Sequence, residues 1–269
     1  MRYVRSFMFS EKLMQNPNIY PYNQLRSKTG EVLIFDDITI LYGENGAGKS
    51  TILNLLASTL AIPGAEYSQT VSQYDYFADY LAECRIGFEH DESHLNANNL
   101  PENRRFIKSE DILYEVKKIQ QKEILQKSVL FEQATTSKNS AVIETLSNSF
   151  GIEKQVGKIQ FGQEKYSNGE TAMTILEDKL LPDGFYLLDE PEVSLSPLNQ
   201  LRLAEFLNEE VRFHGSQFVI ATHSPFLLGN LVGTIYQLDL PGVKVKEWQD
   251  LPNMKIYQQF FDKKKAAFN

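Results

Sequence analysis

The segment from Gly43 to Thr51 constrains the chain more than any other feature. It reads GENGAGKST and satisfies the pattern G-x-x-x-x-G-K-[ST] at every fixed position. The glycines let the backbone wrap closely around an anion, and successive backbone N–H groups then point at that anion. An apolar run, Ile38–Tyr42, precedes the loop, and apolar residues recur at helical spacing over Lys49–Leu60. The sequence therefore predicts a strand, a phosphate-binding loop and a helix, in that order.

The residues of this loop have predicted roles toward a nucleoside triphosphate. We expect Lys49 to reach the β- and γ-phosphates, and the Ser50 hydroxyl to ligate Mg²⁺. The positive end of the following helix faces the same phosphates. A glycine turn beside a chance lysine is the alternative, and the flanking strand and helix disfavour it. The predicted nucleotide-binding residues of the loop are Gly43, Asn45, Gly46, Ala47, Gly48, Lys49, Ser50 and Thr51.

Two carboxylates end an apolar run late in the chain. Phe185–Leu188 is followed directly by Asp189 and Glu190. We predict that Asp189 holds Mg²⁺, directly or through water, and that Glu190 polarises the water that attacks the γ-phosphate. The alternative is a helix N-terminus that carries favourable acidic residues. A phosphate loop in the same chain makes that alternative the weaker one.

The sequence YSNGE at 166–170 has two compatible interpretations. Ser167 followed by Glu170 is a capping box for a helix predicted over Thr171–Leu180. The same capped helix N-terminus, with Ser167 and Gly169 exposed, is also an anion site.

A lone histidine, His223, follows the predicted buried strand Gln217–Thr222. It could be a structural residue with satisfied hydrogen bonds. Because three phosphate-related motifs occur in the same chain, we predict instead that His223 contacts the γ-phosphate.

The order of the predicted elements indicates the fold class. In the last third of the chain, strands and helices alternate, which favours an α/β fold with a parallel sheet and helices on its faces. A helix predicted over 109–133 would be only ~35 Å long at 1.5 Å per residue, too short for a coiled-coil arm. The closing sequence DKKKAAFN is predicted to be a frayed, solvated basic tail.

Composition limits the function further. The formal net charge of −8 lowers the expectation of nucleic-acid binding without excluding a local basic patch. A single cysteine, Cys84, allows no internal disulfide, favours a reducing compartment and is expected to be a small half-buried apolar residue. The N-terminus does not read as a signal peptide, and no apolar run approaches the ~20 residues needed to span a bilayer. We therefore expect a cytoplasmic protein without membrane insertion.

Taken together, the motifs resemble those of the ABC-class ATPases. The sequences LDEPEVSLSP at 188–197 and GSQFVIATHSP at 215–225 resemble, within that class, small stand-alone ATPases related to the SMC, RecF and OLD groups. The resemblance implies a phosphate-loop ATPase head with a mostly parallel core sheet, an N-terminal antiparallel β portion and an inserted helical signature subdomain. It places a Walker A motif at 43–50, a signature at 167–170, a Walker B motif at 185–190, a D-loop at 194–197 and a switch histidine at 223.

The implied domain organisation is a single ABC-type domain over 1–269. The nucleotide-binding core would comprise 1–65 and 181–250, the helical signature subdomain about 90–180, and a C-terminal extension 251–269. The resemblance also implies a homodimer or related heterodimer that ATP closes and hydrolysis opens. Ser167, Gly169 and Glu170 of one subunit would then meet the γ-phosphate of ATP bound to Lys49 of the other.

The chain departs from the pattern of the class in three places. Asn168 stands where many members have glycine. No residue for adenine stacking is evident, and Tyr20 and Tyr22 are the candidates. The usual Q-loop glutamine is also not obvious: the candidates near or before its place are Glu89, His90, Gln69 and Gln73.

Three functions remain open. We favour a soluble ATP-hydrolysing dimer that acts as a switch or motor for a separate effector protein, in nucleic-acid maintenance or antiphage defence. A nucleotide-binding subunit of a membrane transporter is the second, although the helix after the signature lacks the Gln/Arg-rich face common in such subunits. An ATP-dependent scaffold with little turnover is the third, and the intact motif residues argue against it. Outside these motifs no residue cluster has metal-site spacing, so no nuclease is predicted in this chain.

Overall fold

The architecture was determined from a computed structural model, which describes residues 2–16, 18–66, 74–88, 100–121 and 168–267. The strands of these residues are β1 Val4–Met8, β2 Val32–Ile34, β3 Ile38–Tyr42, β4 Arg85–Phe88, β5 Arg104–Lys108, β6 Phe185–Asp189, β7 Gln217–Ala221, β8 Thr234–Gln237 and β9 Lys244–Val245. The helices are α1 Lys49–Thr59, α2 Tyr76–Glu83, α3 over 109–121, α4 Asn168–Lys179, α5 Pro197–His214, α6 Pro225–Asn230 and α7 Pro252–Lys264.

Within the described residues, six strands form the core sheet in the order β5-β6-β7-β3-β8-β9. Every neighbouring pair is parallel except β8 and β9 at the edge. All residues of β3 and β7 are buried, as expected for parallel strands that are covered on both faces. The prediction of an α/β fold with a mostly parallel core sheet is confirmed.

The register of the central strands places three loops side by side. Asp189 at the end of β6 pairs with Ala221 at the end of β7, and Ala221 pairs with Leu41 in β3. Ligands of open parallel sheets bind where strands end at this carboxyl edge. The loops that follow β3, β6 and β7 therefore begin at one edge of the sheet.

The described N-terminal strands form a separate antiparallel sheet in the order β2-β1-β4. The fully buried side chain of Gln217 joins this sheet to the core sheet. Its Oε1 accepts hydrogen bonds from the N–H groups of Tyr3 (2.9 Å) and Val4 (3.0 Å). Its Nε2 donates to the carbonyl oxygens of Val4 (2.8 Å) and Asp36 (3.1 Å). The predicted N-terminal antiparallel portion is thus present and is attached through a polar contact in the core.

The chain divides into two compact units. The first comprises Met1–Ser109, Leu180–Val193 and Gln200–Asn269 and contains both sheets. The second comprises Glu110–Lys179 and Ser194–Asn199. In its described part, Lys179 forms an ion pair with Glu115 at 2.7 Å.

Two predicted segments differ from the structure. Residues 262–267, predicted as a frayed tail, are helical, since α7 continues to Lys264 and a 3-10 turn follows over Lys265–Ala267. Lysines in the last turn of α7 favour this helical end, because positive charge stabilises the negative end of a helix. These residues are exposed, as predicted.

Helix α4 begins at Asn168, three residues before its predicted start. The predicted helix 109–133 is described only over 109–121.

Cys84 is half-buried and packs against the hydrophobic core, as predicted. Burial raises the pKa of its thiol to about 12. Among the described helices, none has the length and apolar character required to cross a bilayer.

Candidate nucleotide site

The loop between β3 and α1 has a backbone that requires glycine. Gly46 and Gly48 have φ angles of +86° and +92°, in the region that side chains with a Cβ rarely adopt. At Gly48 an added Cβ would also lie 2.9 Å from Leu25 Cδ2. The backbone of the loop is therefore as the phosphate-loop pattern predicts.

Lys49 lies over this loop with a buried side chain. Its Nζ donates to the carbonyl oxygen of Gly43 at 2.7 Å and lies 2.7 Å from His223 Nε2. Burial lowers the pKa of Lys49, while the nearby carboxylates of Glu190 and Asp189 oppose this shift. The first residue of α1 thus brings a cation to the end of both β6 and β7.

Glu190 and His223 meet beside that cation. Glu190 Oε1 lies 3.6 Å from His223 Nε2, and the Glu190 N–H donates to Ala221 O at 2.9 Å. Glu190 has a φ of +49°, a left-handed backbone that is uncommon for a residue with a side chain. Burial, and next the charge of Lys49, lower the pKa of His223. The imidazole is therefore neutral at pH 7, and Nε2 can accept a hydrogen bond from the Lys49 ammonium.

The predicted metal-binding residues have side chains of suitable chemistry. Ser50 is exposed at the start of α1, and Asp189 is half-buried at the end of β6. Hydroxyl and carboxylate oxygens are ligands that Mg²⁺ prefers. The donor set therefore fits this ion.

Glu192 is a site residue that sequence reasoning missed. Its Oε1 accepts hydrogen bonds from the Thr222 hydroxyl (2.7 Å), from His223 N–H (2.8 Å) and from Ser224 N–H (3.2 Å). Burial raises the pKa of Glu192, and the hydrogen bonds oppose this shift. The only sequence signal was a third carboxylate two residues after the acidic pair, and its partners are about 30 residues away.

Asp239 is a second residue that was missed. Its Oδ1 accepts a hydrogen bond from the N–H of Glu44 at 2.5 Å, so it fixes the first turn of the phosphate loop. The pairing of β3 with β8 brings the two residues together. Behind it, the fully buried Lys28 donates to the carbonyl oxygen of Leu240, and burial lowers the pKa of Lys28.

The two candidate adenine-stacking residues differ in exposure. Tyr22 is buried and its hydroxyl donates to Glu83 Oε2 at 3.3 Å, so its ring is part of the core and is not available to a base. Tyr20 is 37% exposed and stacks on Phe77 with a ring separation of 6.0 Å. Its hydroxyl lies beside the side chain of Thr51 in the first turn of α1, and the Thr51 hydroxyl donates to Gln24 Oε1 at 2.6 Å.

The described site residues of the predicted signature, Gly169 and Glu170, belong to the second unit. The prediction that Gly169 is exposed is wrong: Gly169 is buried, and a Cβ there would lie 3.0 Å from the carbonyl oxygen of Ser194. The Glu170 carbonyl accepts a hydrogen bond from the Thr174 hydroxyl at 3.1 Å within α4. The remaining predicted residues lie outside the described residues: Ser167 of the signature, and the Q-loop candidates Gln69, Gln73, Glu89 and His90.

The fold and the loop together define an α/β domain of the phosphate-loop nucleotide-binding class. A family model described as ABC transporter matches residues 35–193, more than half of the chain, and the chain belongs to this family. The predicted resemblance to ABC-class ATPases is thereby confirmed. A second model matches residues 171–229; it is an AAA domain whose description names an AbiEii toxin and a type IV TA system.

Several solved structures are similar to the chain at low identity. The SMC head domain from Thermotoga maritima is 14% identical, with 92% of this chain and 99% of that chain covered and a TM-score of 0.44. The cbiO1 subunit of the cbiONQ transporter from Clostridium perfringens is 14% identical, with coverages of 100% and 98% and a TM-score of 0.49. The Smc head domain from Pyrococcus furiosus, bound to the C-terminal domain of ScpA, is 14% identical, with coverages of 97% and 100% and a TM-score of 0.42. No curated protein sequence matches the chain.

Proposed function

We propose that the chain binds ATP at Gly43–Thr51 and hydrolyses it. One observation carries this proposal: Lys49 Nζ lies 2.7 Å from His223 Nε2, which in turn lies 3.6 Å from Glu190 Oε1. Three separate segments thus bring a cation, a neutral imidazole and a carboxylate to one point beside a phosphate loop. Phosphoryl transfer requires charge stabilisation and an oriented water at one point. Membership of the ABC transporter family supports the same reaction.

Each of these groups has a proposed task. Phosphate oxygens replace the Gly43 carbonyl and His223 as the partners of Lys49 when nucleotide binds. Glu190 accepts a proton from the attacking water. Once Lys49 has turned to the phosphates, the neutral His223 carries its proton on Nε2 and donates a hydrogen bond to the γ-phosphate from that atom. Ser50 and Asp189 hold Mg²⁺, which when bound neutralises charge on the phosphates.

The base and the remaining loop residues complete the proposed site. Asn45, Gly46 and Ala47 surround the phosphates with backbone N–H groups. The exposed part of the Tyr20 ring provides a surface for the adenine, since this side chain contacts Thr51 at the start of α1.

We further propose that the active species is a dimer. Ser167, Gly169 and Glu170 of one subunit contact the γ-phosphate bound to Lys49 of the other, as the resemblance to ABC-class ATPases implies. ATP then closes the dimer and hydrolysis opens it, which makes the protein a switch or motor for a separate effector. The match of residues 171–229 to a model whose description names a toxin–antitoxin system supports a role in defence against phage. The formal net charge of −8 gives no support to nucleic acid as the partner.

The test compares Glu190→Gln with Glu209→Gln, a matched change at an exposed position of α5. We expect Glu190→Gln to lower ATP turnover by at least about 100-fold, the usual contribution of a general base, and to retain ATP binding. Size-exclusion chromatography with ATP and Mg²⁺ should show a Glu190→Gln dimer, because the nucleotide is no longer consumed. Turnover equal to that of Glu209→Gln would refute the role of Glu190. A Glu190→Gln protein that stays monomeric with ATP would refute the dimer.

The family match also favours a second candidate, a nucleotide-binding subunit of a membrane transporter. Affinity purification of the Glu190→Gln protein in ATP separates the two candidates. An integral membrane protein in the eluate would establish the transporter, and a non-membrane effector would exclude it. A third candidate, the scaffold with little turnover, would instead show tight ATP binding by the wild type without phosphate release.

A further inference from the structure

The short segment between β7 and α6 carries the switch histidine. It consists of Thr222, His223 and Ser224. Its first residue bonds to β3, from Thr222 N–H to Leu41 O at 3.3 Å, and its last accepts a hydrogen bond from α6, from Leu228 N–H to Ser224 O at 2.9 Å. The hydroxyl of Ser224 caps α6 by accepting from the N–H groups of Phe226 and Leu227, both at 3.1 Å. That cap fixes the end of the segment, and the backbone N–H groups of His223 and Ser224 need other partners.

Glu192 supplies those partners from the loop that follows the acidic strand β6. A single oxygen, Oε1, accepts from the hydroxyl of Thr222, from His223 N–H and from Ser224 N–H at 2.7–3.2 Å. The Ser224 N–H is shared, because it also lies 3.0 Å from the hydroxyl oxygen of Thr222. Three consecutive residues are therefore anchored to one carboxyl group. The anchor sets the position from which His223 Nε2 reaches Lys49 Nζ at 2.7 Å.

The second oxygen of the same carboxyl group behaves differently. Glu192 Oε2 is inaccessible to solvent and makes no hydrogen bond within the described part of the chain. A negative charge on such an oxygen is costly, because burial removes its hydration and no hydrogen bond from the described residues replaces it. The hydrogen bonds accepted by Oε1 do not require that charge.

We propose that Glu192 is a positioning residue for His223, and that this position requires a hydrogen-bond acceptor rather than a negative charge. The inference rests on the proposed function in so far as His223 acts in ATP hydrolysis. Glu192 does not reach the nucleotide in this scheme; it acts only by holding the 222–224 backbone.

Two variants of Glu192 distinguish the need for a hydrogen-bond acceptor at this position from the need for a negative charge. Glu192→Gln keeps Oε1 as an acceptor and is neutral, so we expect its kcat to stay within about threefold of wild type. Glu192→Ala removes the acceptor, and we expect kcat to fall by up to about 100-fold, because a displacement of about 1 Å in a catalytic group can cost that much. The KM for ATP should change little in both, since Lys49 and the loop keep their own contacts. Equal loss in the two variants, or none in Glu192→Ala, would overturn the proposal.

A double-mutant cycle tests whether Glu192 works through His223. We expect the kcat of Glu192→Ala/His223→Ala to equal that of His223→Ala alone, because the anchored group is then absent. Multiplying losses would show that Glu192 acts independently. Thr222→Val removes one of the three donors, together with the hydroxyl oxygen that accepts from Ser224 N–H at 3.0 Å, with little change in shape. It should give an intermediate kcat even if Glu192→Ala folds poorly. A wild-type kcat in Thr222→Val would contradict the anchor.

A third measurement does not depend on turnover, so it separates this inference from the proposed function. The chain has four histidines, and the imidazole NMR signal of His223 can be assigned by its absence in His223→Asn. The signal should shift in Glu192→Ala and stay in place in Glu192→Gln.

Glu210→Ala is the control, because Glu210 is also buried and forms a hydrogen bond with His214 at 2.8 Å on α5. If Glu210→Ala moves the His223 signal as much as Glu192→Ala does, the anchor is not specific. Absence of turnover in the wild type would refute the proposed function alone.

Discussion

Replacement of Gln217 by leucine tests how the antiparallel sheet is attached to the core sheet. The leucine is close in size and apolar, but it leaves four backbone groups of Tyr3, Val4 and Asp36 without their partners. Each such loss costs about 1 kcal/mol or more where water cannot enter, and Val4 is fully buried. We therefore expect Gln217→Leu to lower the free energy of unfolding by about 3–5 kcal/mol, a large part of the 5–15 kcal/mol typical of a domain.

The assay is urea unfolding followed by intrinsic fluorescence, with the midpoint and slope compared between variants. Gln259→Leu is the control, because Gln259 on α7 is exposed and the chemical change is identical. We expect the control to stay within about 0.5 kcal/mol of wild type. A Gln217→Leu protein within about 1 kcal/mol of Gln259→Leu would refute the reasoning, because it would mean that water or local rearrangement satisfies the four groups.

Three further predictions follow from single residues. Burial and Lys49 lower the pKa of His223, so the unfolded chain takes up a proton at this histidine at a higher pH than the folded chain does. The melting temperature should therefore fall from pH 7 to pH 5. His223→Asn should make this fall shallower. Gly48→Ala combines a φ of +92° with an approach of 2.9 Å to Leu25 Cδ2, and should destabilise the fold by about 1–3 kcal/mol in thermal unfolding and weaken ATP binding in a titration; unchanged values for both would contradict the strained loop. The thiol of Cys84, with its pKa raised to about 12, should react slowly with iodoacetamide at pH 8 and rapidly in urea; equal rates in the two conditions would show that burial does not protect it.

The sequence predicted the parts of the molecule that depend on local pattern. The strands β6 and β7 are continuous apolar runs, and the phosphate loop is a contiguous motif, so both were visible without tertiary information. Strand β5 was missed because it reads RRFIK, with three basic residues in five, and becomes a strand through its pairing with β6. Glu192 and Asp239 were missed because each contacts a segment far away along the chain. Local sequence patterns do not show which distant residues will be in contact after folding.

At position 190, folding stability and ATP hydrolysis favour different residues, because the backbone of Glu190 is left-handed. A residue with a Cβ pays roughly 1–2 kcal/mol for that conformation, whereas glycine adopts it freely. Selection for thermal stability alone should therefore enrich glycine at position 190, and selection for ATP turnover should enrich glutamate. A library randomised at this position and sorted both ways would measure how much folding stability the protein forgoes to keep a carboxylate there.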